Sequence, residues 1–136
     1  MNKKKQVIRV RNVMKETFGA VQGMETIDSA LNRMREIKTK CLVVEKRHDD
    51  DEYGILLVSD IARKVIARDR PPERVNVYEV MAKPVISVDP GMDIRYCARL
   101  FDRFDISHAP VLEAGKIVGM VSFSDLVLKG LAVAET

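Results

Sequence analysis

Gly115 to Asp125, GKIVGMVSFSD, reads as a turn, a buried strand and the first residues of a helix. Ile117, Val118, Met120 and Val121 are apolar and largely favour strand, whereas Ser122, Ser124 and Asp125 are residue types that cap helices. The strand therefore passes directly into a helix. A Ser and an Asp three residues apart at such a junction lie beside free backbone N–H groups and the positive end of the helix dipole, which suits an anionic, hydroxyl-rich ligand. The same pair serves equally as a plain helix cap.

Tyr53 to Asp60, YGILLVSD, repeats this element, with Gly54, Ser59 and Asp60 matching Gly119, Ser124 and Asp125 at a spacing of 65 residues. Upstream, Val10 and Val77, Val13 and Val80, Met14 and Met81, Val21 and Val88, Ile27 and Ile94, and Val44 and Val111 match at a spacing of 67. The two extra residues of the first half fall between Val44 and Gly54. A duplication in so short a chain predicts two similar units packed as one body, each burying a face the other cannot.

The chain has 136 residues, 46% of them hydrophobic, and a net charge of +3, which fits a globular protein and is too slight to imply a nucleic-acid partner. Cys41 and Cys97 sit in apolar runs without ligand spacing, so buried thiols are expected, with no metal required. No apolar run is long enough to span a membrane and MNKKKQ lacks a signal-peptide core, so a cytoplasmic location is expected by default.

Residues 1–9 form a basic tail, 10–70 the first repeat, 71–76 a linker and 77–133 the second repeat. Ile27, Ala30, Leu31, Met34 and Ile37 recur at the spacing of one helix face, and Ile94, Cys97, Ala98, Phe101 and Phe104 match them. Cys41–Val44 and Gly54–Val58 read as strands, as do Val85–Val88 and the hairpin Ala109–Leu112 with Ile117–Val121. The acids in RHDDDEY (Arg47–Tyr53) lack a calcium-loop arrangement and read as a solvated turn. A helix with Ile61, Ala62, Val65 and Ile66 inward follows Asp60, and Leu126, Val127 and Leu131 line the last helix. Each unit is thus β, α, β, β, α in an α/β (α+β) fold.

VRNVM, LVVE and YGILLVSD in the first half, with VYEVM, ISHAPVL and GKIVGMVSFSD in the second, resemble a tandem pair of cystathionine β-synthase (CBS) domains, a Bateman module. The likeness covers roughly residues 10–133. It implies two βαββα repeats packed with pseudo-symmetry, forming a regulatory module that binds an adenine nucleotide between them. Carried over, Asp125 would bond the ribose hydroxyls, Ser122 ribose or phosphate, and Ser107 and His108 the phosphates. The adenine would lie against Met14, Thr17, Phe18, Gly19 and Ala20, flanked by Met120. These apolar residues could equally be ordinary core, and His108 a strand-end histidine.

The first repeat departs from the pattern, with Leu57 at the Ser122 position and Cys41 at the His108 position. A weaker second site would draw on Asp60, Lys40, Lys83, Val85 and Ile86. AMP or ATP fits best, with NAD or S-adenosylmethionine as alternatives that share the adenosine. The resemblance also implies a homodimer and a regulated protein partner, with Arg63–Arg70 and the apolar Val127, Leu128, Leu131 and Val133 as candidate contact faces. A ligand-free interaction scaffold and a nucleotide-processing enzyme using His108 and Asp125 are the competing functions. The familiar phosphate-loop, zinc-protease and nucleophile-elbow motifs are absent.

Overall fold

The computed structural model describes residues 6–134. The lysines of the basic tail, Lys3 to Lys5, and the side chain of Val133 lie outside what is described. The elements are α1 (Val10–Val13), β1 (Ala20–Val21), α2 (Ile27–Ile37), β2 (Cys41–Val44), β3 (Gly54–Leu57) and α3 (Val58–Ile61), the last running into a π-helical turn at Ala62–Ile66. They are followed by α4 (Ile94–Phe104), β4 (His108–Glu113), β5 (Lys116–Ser122), a π-helical turn at Asp125–Lys129 and α5 (Gly130–Ala134). The fold is α+β.

The compact units do not divide at the boundary between the repeats. One unit is Phe18–Val85; the other joins residues up to Thr17 with those from Ile86 onward. Each repeat's opening segment bonds to the other repeat's strands and helix. In the first of these units, Ile27 N donates to Val75 O at 2.8 Å and Ala82 bridges Ile55. In the other, Ile94 N donates to Ile8 O at 2.9 Å and Lys15 bridges Met120. Gly54 and Gly119 permit this approach: a Cβ on Gly54 would meet Ala82 O at 3.1 Å, and one on Gly119 would meet Lys15 O at 2.8 Å.

In the Phe18–Val85 unit the sheet order is β1-β2-β3, with β1 parallel to β2 and β3 antiparallel. Thr26 caps α2, its side chain accepting from Ser29 N, and Ile27, Ala30 and Met34 face a core with Leu42, Leu56, Val65 and Val77. In the other unit β4 and β5 pair antiparallel, Asp93 caps α4, and Cys97 and Phe101 pack with Val10, Val13, Val111 and Val121. Full burial of side chains of this size contributes roughly 1.5–3 kcal/mol each.

Both cysteines are buried and stand outside any disulfide, and burial pushes the Cys97 thiol up to about 11. Ile37 and Phe104, expected inward, are exposed, because each is the last residue before a left-handed cap, at Lys38 and Asp105, where the helix leaves its core. Ile66 is 75% exposed and Ala62 is also outward, so only Ile61 and Val65 of that stripe are buried. Val127 and Leu131 are likewise exposed while Leu126 is buried. Val85–Val88 forms no strand: Val88 alone bridges Val111, between Pro84, which has no N–H, and the turn at Asp89–Gly91. β3 ends at Leu57, since Val58 already begins α3.

Candidate functional site

The strand-to-helix junction after β5 gathers four of the residues singled out in the sequence. His108 and Ser122 stand opposite each other in the β4–β5 register, and Phe123 N donates to Ser107 O at 3.0 Å. Ser107 Oγ lies 2.8 Å from His108 Nδ1. Asp125 is buried at 4% exposure, and its Oδ2 accepts from Ser122 N and Ser122 Oγ, both at 3.0 Å. Asp125 N donates back to Ser122 Oγ at 3.2 Å.

This reciprocal pairing fixes the carboxylate as a capping box would. The second oxygen, Oδ1, is 3.6 Å from Lys129 Nζ, an i, i+4 partner that sequence reasoning did not single out although its spacing on a helix was visible. Phe123 packs edge-on against Phe101, with ring centroids 5.1 Å apart, which anchors the junction to the core of its unit. The chemistry available is a held carboxylate, a hydroxyl, and a hydroxyl–imidazole pair on the facing strand.

Met120 pairs with Pro110 on one side and bridges Lys15 on the other, exchanging Lys15 N→Met120 O at 2.8 Å and Met120 N→Lys15 O at 2.9 Å. It is 6% exposed, and Met14 Sδ would lie 2.8 Å from a Cβ on Gly119. Met14 and Thr17 thus belong to the same unit as Asp125. Phe18, Gly19 and Ala20 belong to the other unit, where Gly19 O accepts from Val43 N at 3.0 Å and a Cβ on Gly19 would run into Ile37 and Leu42.

The corresponding junction after β3 is poorer. Leu57 stands opposite Cys41, and Val58 N donates to Lys40 O at 3.0 Å, as Phe123 does to Ser107. The Asp60 carboxylate has Arg63 at 3.8 Å. Lys83 is at the opposite end of β3: it follows Ala82, which bridges Ile55, and its Nζ is 2.7 Å from Asp51 Oδ1. Val85 closes this unit and Ile86 belongs to the other. The structure therefore brings Lys40 and Asp60 to one end and sets Lys83 at the other.

The loop after β2 is also more than a solvated turn. The side chain of Asp51 is only 8% exposed, and its Oδ2 accepts from Arg47 N at 2.9 Å and Arg47 Nε at 3.1 Å. The Lys83 ammonium and the Arg47 N–H donors hold its carboxyl well below the usual carboxylate range. The visible signal in the sequence is the basic residue four positions before Asp51, not the run of acids.

These features place the chain in the CBS-domain family, to which it belongs. The family model for the CBS domain matches residues 77–131. A hexameric CBS-CP12 protein from bloom-forming cyanobacteria superimposes with a TM-score of 0.90 at 37% identity, over 93% of this chain and 73% of that one. A CBS-domain protein of unknown function from Thermoplasma acidophilum aligns with a TM-score of 0.81 at 28% identity, over 89% of this chain and 68% of that one. The CBS domain-containing protein YhcV of Bacillus subtilis is 24% identical over 123 residues, covering 90% of this chain and 86% of the relative. The chain spans 53% and 64% of the length of two uncharacterized relatives from Methanopyrus kandleri and Methanocaldococcus jannaschii. CBS domains are as a class regulatory rather than catalytic, and these matches indicate no catalytic family. Among the described residues, no helix is long and apolar enough to cross a membrane.

Proposed function

We propose that the chain is a ligand-sensing module that binds an adenine nucleotide at the Asp125 junction and passes the signal to a protein partner. The observation that supports this most directly is the convergence of Asp125, Ser122, Ser107 and His108 at one strand-to-helix junction. A carboxylate next to a hydroxyl accepts and donates to a ribose diol, and a hydroxyl–imidazole pair donates to phosphate. AMP or ATP suits that set best; NAD and S-adenosylmethionine share the adenosine. The junction at Asp60, lacking the serine and the histidine, is the weaker position.

Output through self-association is the natural extension. Val127, Leu128 and Leu131 leave an apolar strip exposed on the last helix, at 50%, 71% and 60%. The CBS-CP12 relative is hexameric, which supports self-association, and a homodimer of this chain is the assembly proposed.

The test is a thermal-shift panel of AMP, ATP, NAD and S-adenosylmethionine on the wild type and Asp125→Asn. Ligand that binds only the folded state raises Tm by mass action. A rise with one or two of these ligands that is lost in Asp125→Asn, and retained in Asp60→Asn, supports the assignment. No rise with any of them leaves Ser122 and Asp125 as a helix cap, and the interaction scaffold as the function.

A further inference from the structure

Both units carry a cavity at the same place, and the two cavities are lined with opposite charge. In the Phe18–Val85 unit the cavity has a volume of about 700 Å³, and its lining includes Val44, Tyr78 and Met81 together with three cations, Lys46, Arg47 and Lys83, against one acid, Glu45. In the other unit it measures about 330 Å³ and is lined by Arg11, Met14, Glu16 and Glu113 among others. Tyr78, Met81, Lys83 and Lys46 stand 67 residues after or before Arg11, Met14, Glu16 and Glu113, so the positions correspond one to one. Two lysines in one unit are two glutamates in the other, and a tyrosine ring is replaced by a guanidinium.

The larger cavity is held ready for an anion. Asp51 fixes Lys83 Nζ at 2.7 Å and takes the Nε of Arg47, while the Arg47 side chain stays 72% exposed. Lys46 Nζ sits 4.9 Å from the centre of the Tyr53 ring. Beside these cations Tyr78 is half exposed, 51%, and Met24, also in the lining, is 74% exposed. A flat apolar surface next to positioned cations is what a planar ring bearing a negative group requires. This place is the hairpin end of the sheet, where Val44 pairs with Gly54, and it is the far end of β3 from Asp60.

The geometry points to a second ligand site in the Phe18–Val85 unit, one that takes a small aromatic oxyanion with its ring against Tyr78 and Met81 and its phosphate or carboxylate at Lys83 and Arg47. The corresponding cavity is smaller and carries Glu16 and Glu113, so it repels the same molecule. Nothing in this assignment depends on nucleotide binding at Asp125.

Phenyl phosphate and benzoate are the probes, titrated into the isotope-labelled full chain while backbone amide shifts are followed. Either probe should move amides of residues 22–24, 44–47 and 78–83 and leave 11–16 and 113–118 in place; whichever binds more tightly names the oxyanion. Inorganic phosphate at the same concentration should leave those amides unmoved. Lys83→Met should weaken the tighter probe about tenfold, as expected for loss of one charged contact. Lys46→Glu, which copies Glu113 and leaves the Lys83–Asp51 pair intact, should weaken it as well and guards against a folding defect in the first variant. Asp125→Asn should leave this binding unchanged, so failure here and failure at the nucleotide site are read separately. Neither probe moving those amides, wild-type affinity retained in both lysine variants, or shifts confined to residues 107–108 and 122–125 would overturn the proposal.

Discussion

The two hairpins are built on one plan and end differently. β4 and β5 are joined by a tight turn in which Ala114 and Gly115 both have positive φ, 53° and 77°, the geometry whose twist matches the strands it connects. β2 and β3 are joined by residues 45–53, where Asp51 gathers Arg47 and Lys83. The tight turn adds no chemistry to its unit, whereas the loop brings an electrostatic frame of its own. At the other end of the sheets the roles reverse, with Ser122 and His108 facing Asp125 in one unit and Leu57 and Cys41 standing near Asp60 in the other. A duplicated scaffold has thus been specialised at opposite ends of its two hairpins.

The comparison breaks most severely in the cores. Phe101 is fully buried and meets Phe123 edge-on, and its counterpart Met34 is 4% exposed. Phe101→Ala should cost about 3–5 kcal/mol, and Met34→Ala about 2 kcal/mol, because a flexible thioether leaves a site that collapses more readily. Urea unfolding of the full chain measures both. A Met34→Ala cost equal to or above that of Phe101→Ala would mean the two cores are equivalent despite their different side chains.

A smaller effect separates the two acidic residues. Asp125→Ala removes an acceptor used by Ser122 N and Ser122 Oγ and should cost about 1–2 kcal/mol in the absence of any ligand. Asp60→Ala loses a single contact to a guanidinium whose side chain is 75% exposed, and should cost under about 0.5 kcal/mol. Equal costs in the same unfolding assay would show that Asp60 is tied into its helix as firmly as Asp125.

The duplication, the helix faces and the junction at Asp125 were legible because each is a periodic or local pattern of side chains. Ile37 and Phe104 were misplaced for the same reason: periodicity continues to the last residue of a helix, while the core stops a residue or two earlier. The exchange of opening segments could not be read, since Ile8 with Ile94 and Val75 with Ile27 meet through backbone N–H and C=O groups, which every residue carries. In sequence Lys83 offers itself as a cation for Asp60; in three dimensions a strand's length separates them, and Asp51 holds the lysine. The exchange of Lys46 and Lys83 for Glu113 and Glu16 was present at the 67-residue spacing but only acquires meaning once both pairs line a cavity.

The smallest effect is in acid, and it should divide the units. In the unit built on α4, the Arg95 guanidinium hydrogen-bonded to Asp93 brings its carboxyl down to about 2. In the Phe18–Val85 unit Asp51 is lowered by Lys83 and Arg47, and Glu79 by the Asn76 N–H and by Arg70. Glu25 there is lowered too: burial opposes the shift, but the Gln22 N–H, Arg33 and Ser29 outweigh it. A carboxyl depressed in the folded state contributes stability above its unfolded pKa of roughly 4, and loses it as the pH falls through the folded value. The Phe18–Val85 unit, with three such groups among the described residues against one, should therefore loosen first as the pH drops below about 4. Amide hydrogen exchange at stepped pH reads the two units separately. Asp93→Asn should flatten the acid response of amides in 94–104 and leave those in 27–37, whose helix is capped by the uncharged Thr26, unchanged. Simultaneous loosening of both units in the wild type would mean that acid acts on them as one cooperative body, and that the charge asymmetry at their hairpins has no counterpart in stability.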